Sequence, residues 1–253
     1  MKKNSQYVFL LLSLSGLTPA FAGHVFVEGD YGVSTASLNH NAPQITYYQG
    51  YLTDSYPINR NHQSAGVADL QAGYEFLGAQ AKPAVAFGLG WYGTPTAYQY
   101  AGQVIETPLN GSLINVYTYR FKMRSNRLMA QTRLTWQLAT PVASFLELGA
   151  GEAWTQVGSY HEVTSEPNTY VVYPPFQPRN NARFAYQVGA GLAYTFNLAY
   201  QDSTYQHERV ILGYRFSSLG SVKFRGRDSN YPYSLNLGEL DSSEAYLGWM
   251  HLF

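Results

Sequence analysis

The sequence predicts an all-β fold: an eight-stranded, antiparallel, up-and-down transmembrane β-barrel with long extracellular loops. Three observations support this prediction. Eight segments alternate apolar and polar residues, the connections between them alternate in length, and aromatic residues recur near the segment ends. An uncharged stretch such as residues 83–105 carries two Pro and two Gln, so it would make a poor membrane helix.

The composition excludes several classes of protein. Only 13% of the residues are charged, 23 are Tyr and none is Cys. Disulfides and thiolate metal sites are therefore ruled out. Lys and Arg together number 16, as do Asp and Glu, so no basic excess points to nucleic acid.

Residues 1–22 have the pattern of a secretory signal peptide. Lys2 and Lys3 precede an apolar stretch over residues 7–17, and Ala20-Phe21-Ala22 follows as an A-x-A site. The apolar stretch is shorter than the ~20 residues that a membrane helix needs. We expect cleavage after Ala22, which leaves residues 23–253 as one transmembrane β-barrel domain.

The first four alternating segments cover residues 24–34, 68–76, 85–91 and 127–138. Alternation places the apolar residues on one face of a strand and acids, Gln, Arg or Gly on the other. The apolar faces carry Val25, Val27, Gly29, Tyr31 and Val33; Ala68, Leu70, Ala72, Tyr74 and Phe76; Val85, Phe87, Leu89 and Trp91; and Leu128, Ala130, Thr132, Leu134, Trp136 and Leu138.

The last four segments cover residues 146–154, 183–196, 209–216 and 244–253. They show the same period of two, and the sixth segment is the most regular. Their apolar faces carry Leu146, Leu148, Ala150 and Trp154; Phe184, Tyr186, Val188, Ala190, Leu192, Tyr194 and Phe196; Val210, Leu212, Tyr214 and Phe216; and Ala245, Leu247, Trp249 and Phe253.

Loop lengths favour a membrane barrel over a soluble sandwich. Short connections lie near residues 78–82, 139–142 and 197–204, and long ones near 37–64, 94–126, 157–181 and 218–241. Short turns on one side and long loops on the other are typical of bacterial outer-membrane barrels. We expect the long loops to be extracellular and both termini to be periplasmic.

The aromatic residues near the segment ends predict two girdles, one at each membrane interface, because amphipathic rings prefer that depth. A sandwich has no reason to sort its aromatic residues in this way. The predicted girdle residues are Tyr31, Tyr74, Phe76, Trp91, Trp136, Trp154, Tyr194, Phe196, Tyr214, Phe216, Trp249 and Phe253.

The opposite faces of the segments predict a charge network inside the barrel. All five basic residues on these faces are Arg, which pairs bidentately with carboxylates and tolerates enclosure. An eight-stranded barrel is just wide enough for side chains to fill. Arg133 and Glu147 should pair across a hairpin. The predicted network consists of Glu28, Asp30, Asp69, Glu75, Arg127, Arg133, Glu147, Arg183, Arg209, Arg215 and Glu244.

Four stretches resemble small OmpA/OmpX-like outer-membrane barrel domains: "YRFKMRSNRLMAQTRLTWQL", "FLELGAGEAW", "VGAGLAYTF" and "VILGYRF". The resemblance covers residues 24–253 and implies the barrel fold without a particular function. The terminal run, with Leu247, Trp249 and Phe253, resembles the C-terminal signal of outer-membrane proteins, although His251 stands where Tyr or an apolar residue is usual. That resemblance implies recognition of Phe253 by the barrel-insertion machinery. Unlike OmpA itself, the chain ends at its last strand.

Two features leave alternatives open. Residues 112–124 also alternate, so we expect a hairpin above the membrane with a bulge near Ser125 and Asn126, and a ten-stranded barrel is the alternative. Glu152 would face lipid in a regular strand. Because that is costly, we expect either a bulge there or a position above the hydrocarbon.

The function class suggested by these features is structural or interactive. We expect no cofactor and no enzyme, since Ser159, His161 and Glu162 form the only suggestive grouping and lack a G-x-S-x-G element. A narrow, porin-like small-solute channel is the alternative, and a lipid-modifying enzyme is the third. Expected partners are outer-membrane lipids, lipopolysaccharide, and host or envelope proteins that contact the loops.

Overall fold

The computed structural model describes residues 23–39, 42–47, 52–76, 83–108, 110, 115–139, 141–164, 176–199, 205–226 and 233–253. The predicted signal peptide lies outside these residues. The described chain forms thirteen strands: β1 (Gly23–Leu38), β2 (Gln44–Tyr47), β3 (Leu52–Ser55), β4 (His62–Phe76), β5 (Ala84–Gly93), β6 (Tyr98–Pro108), β7 (Asn115–Ala139), β8 (Val142–Thr164), β9 (Phe176–Gln177), β10 (Arg179–Ala199), β11 (Tyr205–Lys223), β12 (Arg225–Gly226) and β13 (Asn236–Leu252).

Eight of the strands close into an antiparallel ring in the order β1, β4, β5, β7, β8, β10, β11 and β13. The last strand pairs with the first, with Leu247 opposite Tyr31. Each of the eight predicted segments lies in a different strand of this ring, so the predicted fold class is confirmed. Closure pairs every ring strand on both sides and leaves no open edge.

The ten-stranded alternative is wrong, because β6 stands outside the ring. β5 and β6 lie end to end along β7, where β5 pairs with residues 126–135 and β6 with residues 115–123. Between them, Thr94 N donates to Ser125 O (3.0 Å) and Ser125 N donates to Thr94 Oγ1 (2.9 Å). The extra alternating stretch is therefore half of a β6–β7 hairpin, as expected. The expected bulge near Ser125 and Asn126 is wrong, because β7 continues through these residues without a register shift. The interruption lies in the partner instead, where residues 94–97 separate β5 from β6.

The ring has two distinct ends. At the lower end, which we define as the end where β1 begins and β13 finishes, β4–β5, β7–β8 and β10–β11 are connected. At the opposite, upper end the strands continue beyond the predicted segments. β7 has 25 residues and β8 has 23, whereas about 9–11 residues suffice to cross a bilayer. Much of the sequence predicted as long loops is therefore strand: β2, β3 and β6 extend the main sheet, and β9 pairs with β12.

The barrel interior is filled in three layers. An apolar cluster including Phe26, Phe145 and Met250 lies at the lower end. A charged layer follows above it. The upper end is filled by a larger cluster rich in Tyr and Phe, which we call the aromatic cluster; its rings are Tyr56, Tyr92, Tyr98, Tyr100, Tyr119, Phe121, Tyr160, Phe176 and Phe224.

The outer surface of the ring is apolar. Side chains such as Leu70 (59% exposed), Leu89 (60%), Leu212 (60%) and Leu247 (59%) project outward without a covering element in the described chain. In the described parts of the chain, no helix is long and apolar enough to cross a membrane.

Candidate functional site

The charged layer is built from charged side chains that point inward from six ring strands, β1, β4, β7, β8, β11 and β13, and β5 and β10 add Tyr92 and Gln187. Its centre is Arg133, whose Nη1 lies 2.5 Å from Glu28 Oε2 and whose Nη2 lies 2.8 Å from Glu147 Oε2. Arg133 and Glu147 are direct partners in the β7–β8 register. The structure thus brings together the two residues that the sequence pairs across this hairpin.

Arg215 forms a second centre in the same layer. Its guanidinium lies 2.7 Å from Asp69 Oδ2, 3.0 Å from Glu244 Oε2 and 3.4 Å from Glu147 Oε1. Arg127 also binds Glu244, with Nη1 donating to Oε1 at 2.8 Å and Nη2 donating to Oε2 at 2.6 Å. Such charge-assisted bonds on both carboxylate oxygens are the strong class of hydrogen bond.

Arg209 and Glu75 form a separate bidentate pair nearer the lower end, at 2.6 and 2.8 Å. Asp30 is buried, and its Oδ2 accepts a hydrogen bond from Gln71 Nε2 at 3.0 Å rather than from an Arg. Ten of the eleven predicted network residues therefore lie inside the barrel.

Arg183 is the exception, so its assignment to the interior network is wrong. Its side chain is exposed, and Nε donates to Ser221 Oγ at 3.2 Å. The β10–β11 ladder stops at Tyr186 and Ser218, below Arg183. Beyond that point β11 has an irregularity between Ser218 and Ser221 and no longer pairs with β10, so the alternation of the ladder no longer decides which way Arg183 points.

Uncharged residues that sequence reasoning did not assign to the network complete it. Gln187 Nε2 donates to Glu147 Oε1 (2.9 Å) and to the Tyr92 hydroxyl (2.9 Å), and Gln71 Nε2 also donates to Asp69 Oδ1 (3.0 Å). Tyr92 and Gln131 are hydrogen-bonded, as are Gln131 and Gln71. The three glutamines stand at inward positions of the alternation, as the charged residues do. That position is the sequence signal that could have assigned them to the network.

Glycines and aromatic rings fit the Arg side chains into the available space. A Cβ on Gly149 would lie 2.8 Å from Gln187 Cγ, and one on Gly213 would lie 2.3 Å from the Tyr246 ring. The Arg215 guanidinium lies 4.4 Å from the ring centroids of both Tyr92 and Tyr246. Small residues on the inward face therefore give room for the charged layer, and the rings add cation–π contacts to it.

The predicted girdle residues lie at the two ends of the outer surface. Tyr31, Trp91, Trp154, Tyr214 and Phe216 lie toward the upper end. The others lie toward the lower end, where Phe196 contacts Trp249 and Tyr74 contacts Phe76, with ring centroids 5.2 and 4.8 Å apart. Phe87, Phe184 and Tyr186 also project outward and are 53%, 71% and 51% exposed.

Glu152 lies in a regular strand, so the expected bulge there is wrong. The β7–β8 register runs without a shift from Lys122↔Gly158 down to Gln137↔Ala143. Glu152 is exposed on the outer surface, in the same row as Trp154. Its position above the hydrocarbon remains a prediction.

The bulge lies higher, at Ser159. Arg120 pairs with His161 and Lys122 with Gly158, so two residues of β8 oppose Phe121 alone. Ser159 has φ = 53°, which is uncommon for a residue other than Gly. The bulge reverses the alternation: Val157 is buried below it, and Tyr160 and Glu162 are buried above it.

This reversal separates the suggestive Ser159, His161 and Glu162 grouping. Ser159 and His161 are exposed on the outer surface, whereas Glu162 points inward and bonds to the Tyr160 hydroxyl. The three side chains therefore do not converge as a nucleophile, base and orienting acid would. Within the described ranges, no three His, Asp or Glu side chains are arranged to hold a metal ion.

Glu162 has an unusual environment in the upper part of the molecule. Burial is the main cause that raises the pKa of its carboxyl; the hydrogen bond from Tyr160 lowers the pKa, the nearby carboxylates of Asp54 and Glu106 raise it, and the net value is about 7. This is a case of desolvation disfavouring the charged form.

Comparison with known proteins yields likeness in fold only. No protein-family model matches the chain, and no curated protein matches it by sequence. Neisserial surface protein A is 14% identical over 92% of this chain and 99% of its own, with a TM-score of 0.46. The Escherichia coli outer membrane protease OmpT is 10% identical over 93% and 98%, with a TM-score of 0.41. The outer membrane protein AlkL is 13% identical over 100% and 97%, also with a TM-score of 0.41.

The closed antiparallel ring described above is the architecture that small outer-membrane barrels have.

Proposed function

We propose that this protein is an outer-membrane barrel with a sealed interior that holds an extended β-structured platform at the cell surface. The platform serves structural or interaction roles, through contacts with host molecules or envelope components. The observation that carries this proposal is the combination of a filled barrel and an upper part in which the strands continue far beyond membrane thickness.

The outward faces of the ring strands support the membrane location. A soluble protein rarely exposes contiguous apolar patches above a few hundred Å². Here Leu89, Leu148, Leu192, Leu212 and Leu247, each 48–60% exposed, lie on different strands around the ring. Rings of Trp and Tyr flank this belt at both ends, which matches the preference of aromatic residues for membrane interfaces.

The three interior layers argue against an open pore. Arg215, Glu147 and Glu244 are completely buried at mid-height, and Tyr119, Phe121 and Met123 are buried above them. Wide aqueous channels occur in barrels of roughly 16 strands or more. The eight-stranded ring has its cross-section filled by side chains that bind one another.

The alternative of a narrow small-solute channel is tested by single-channel recording in planar bilayers. We expect no unitary conductance from the purified protein in bilayers that respond to a control porin. Reproducible conductance steps that disappear when the wild-type protein is omitted would favour the channel.

The platform role is tested by replacing residues 40–60, which contain β2 and β3, with a tight turn between β1 and β4. The ring strands are untouched, so we expect a heat-modifiable barrel that has lost adhesion, serum resistance or envelope integrity to the extent that a knockout has. A variant with the lower connection 77–83 replaced is the matched control. If the platform variant keeps all three properties and the knockout loses them, the platform role is wrong.

A further inference from the structure

A row of three basic side chains runs up the outer surface of β7 just above the upper girdle. Arg120, Lys122 and Arg124 occupy alternate positions and are all exposed, while Phe121 and Met123 between them are buried. At about 3.3 Å per residue, the row spans roughly 13 Å. We call these three residues the basic row.

The basic row has no internal charge partner. None of its three side chains makes a hydrogen bond or ion pair with any residue for which the structure gives side-chain contacts. Its cross-strand neighbours are Gln99 and Ala101 on β6, and Gln156 and His161 on β8. Arg127, Arg133, Arg209 and Arg215 in the interior are each bound to a carboxylate, which balances their charge. The basic row has no such partner within the described residues, so this part of the outer surface is positively charged.

The surface at the basic row is shaped as well as charged. Two hollows of about 550 and 360 Å³ lie beside the bulge, and Ser159 lines both of them. Gln99, Arg120, Lys122, Ser159 and His161 line the first. Bulges commonly re-aim side chains near functional sites, and a positive φ at a residue other than Gly is a strain that needs a reason.

Height along the strand indicates the occupant. On the same outward row, Asn126 lies directly below Arg124, and Leu128 follows with 46% of its side chain exposed. Asn126 pairs with Trp154 and Leu128 with Trp91, so the upper girdle lies at this level. The basic row therefore begins where the headgroups of the adjoining leaflet would lie.

We propose that the basic row and its two hollows bind the phosphorylated headgroup of a glycolipid in the leaflet that meets the upper girdle. Arg binds phosphate with bidentate hydrogen bonds, and Lys122 adds a point charge between the two guanidiniums. The Ser159 hydroxyl and the amides of Gln99 and Gln156 supply neutral donors for sugar hydroxyls. This inference rests on the membrane orientation given in the proposed function.

The test uses the purified protein in neutral detergent micelles, with bis-phosphorylated lipid A as the probe and native mass spectrometry as the readout. We compare Arg120→Gln/Lys122→Gln/Arg124→Gln with a control that removes three other exposed arginines, Arg60→Gln/Arg183→Gln/Arg225→Gln. Both variants lose the same charge, and heat-modifiable gel mobility verifies that each is folded.

We expect at least tenfold weaker lipid A binding by the basic-row variant, with the control within twofold of the wild type. Dephosphorylated lipid A should bind the wild type as weakly as bis-phosphorylated lipid A binds the basic-row variant. Equal loss in both variants, or equal binding of the two lipids, would overturn the proposal.

Stronger competition by polyglutamate than by lipid A would overturn it too, and would assign the basic row to an acidic polypeptide instead. Complete competition by inorganic phosphate would show that the lipid is not required.

A separate measurement keeps this outcome distinct from the proposed orientation. The chain has no Cys, so a single Gln103→Cys substitution on the exposed face of β6 reports which side of the membrane the upper end occupies. Labelling of intact cells by an impermeant maleimide supports the surface orientation. Lipid A binding without labelling would contradict the orientation and leave the headgroup site intact.

Discussion

Each residue of the charged layer depends on the others, because burial makes an unpaired charge costly. Glu147 is the clearest case, since it accepts from Arg133, Arg215 and Gln187 together. The buried ion pairs have short contacts, but a buried pair adds little net stability because both charges lose their hydration. Removal of one partner is costly, because it leaves the other charge buried without a partner.

We predict that Arg133→Met destabilises the barrel by about 3–5 kcal/mol, because it leaves the buried Glu28 without its bidentate partner and removes one of the two Arg partners of Glu147. Arg183→Met is the matched control and should change the free energy of unfolding by less than about 0.5 kcal/mol, since Arg183 is exposed. Urea unfolding in lipid vesicles measures both. A double-mutant cycle with Glu147→Gln should reveal coupling, and strict additivity would contradict the observed pair.

We predict that Glu162 makes the stability of the upper part depend on pH. Its pKa of about 7 in the folded protein exceeds the ordinary value of 4.5 for a Glu carboxyl, so the folded state binds more protons between these two pH values. The stabilisation is therefore fully present below about pH 4.5 and is lost as the pH rises through 7.

Urea unfolding between pH 4.5 and 8 checks this prediction. Glu162→Gln should remove that component and should be more stable than the wild type at pH 8, while both should be similar near pH 4.5. Glu239→Gln, which removes an exposed carboxylate, is the control. Parallel pH profiles for the wild type and Glu162→Gln would refute the role of Glu162.

For individual residues, the alternation in the sequence correctly predicted most of the interior charges. It failed where a strand ladder ends or contains a bulge. It assigned Arg133, Glu147 and Arg215 to the interior because the strands around them are regular. It failed at Arg183, where the β10–β11 ladder has ended. It could not position Glu162, because the bulge at Ser159 reverses the faces of β8 and nothing in the local sequence marks a residue other than Gly for positive φ.

The strands β6, β7 and β8 show why the upper part is strand rather than loop. Once β7 leaves the ring level, its inward residues Tyr119, Phe121 and Met123 continue to meet apolar partners from other strands. The Tyr119 hydroxyl donates to Tyr56 O at 3.2 Å, and the Tyr100 hydroxyl donates to Ala36 O at 3.1 Å. Apolar burial and satisfied hydroxyls together stabilise the extension.

We predict that Phe121→Ala loosens the upper part while the ring stays closed. Phe121 is 1% exposed and stacks on Tyr100 at 5.2 Å, so its truncation should cost about 3–5 kcal/mol. Limited proteolysis of vesicle-bound protein should become faster at the upper end, with heat-modifiable mobility retained.

Phe184→Ala, at a side chain that is 71% exposed on the outer surface, serves as the control and should leave proteolysis unchanged. Equal protection of the Phe121→Ala variant and the wild type would mean that the aromatic cluster does not hold the upper part together.

The sequence could identify these elements only in part. Eight ring strands were recoverable because each shows its own period of two. The pairing of β3 with β6 was not, because partners such as Ser55 and Ile105 are far apart in the chain and become neighbours only through the tertiary fold.

The whole molecule has an apolar outer surface around the ring and an interior that is charged at mid-height and aromatic above. This is the reverse of a soluble domain, which has an apolar interior and a polar surface. Ring closure makes this possible, since every ring strand satisfies its backbone groups through neighbours rather than solvent. The filled interior, the proposed surface platform and the proposed lipid-headgroup site all depend on which way the side chains of the ring strands point.

The most direct test is a nitroxide scan along the part of β7 that lies in the ring. Because the chain has no Cys, each single-Cys variant carries one label. After reconstitution into lipid vesicles, labels at residues 128, 130, 132, 134 and 136 should collide with lipid-dissolved oxygen, and labels at 129, 131 and 135 should not. We therefore predict that oxygen accessibility alternates with a period of two residues along β7. Uniform oxygen accessibility along β7, or stronger collisions at the odd positions, would contradict it.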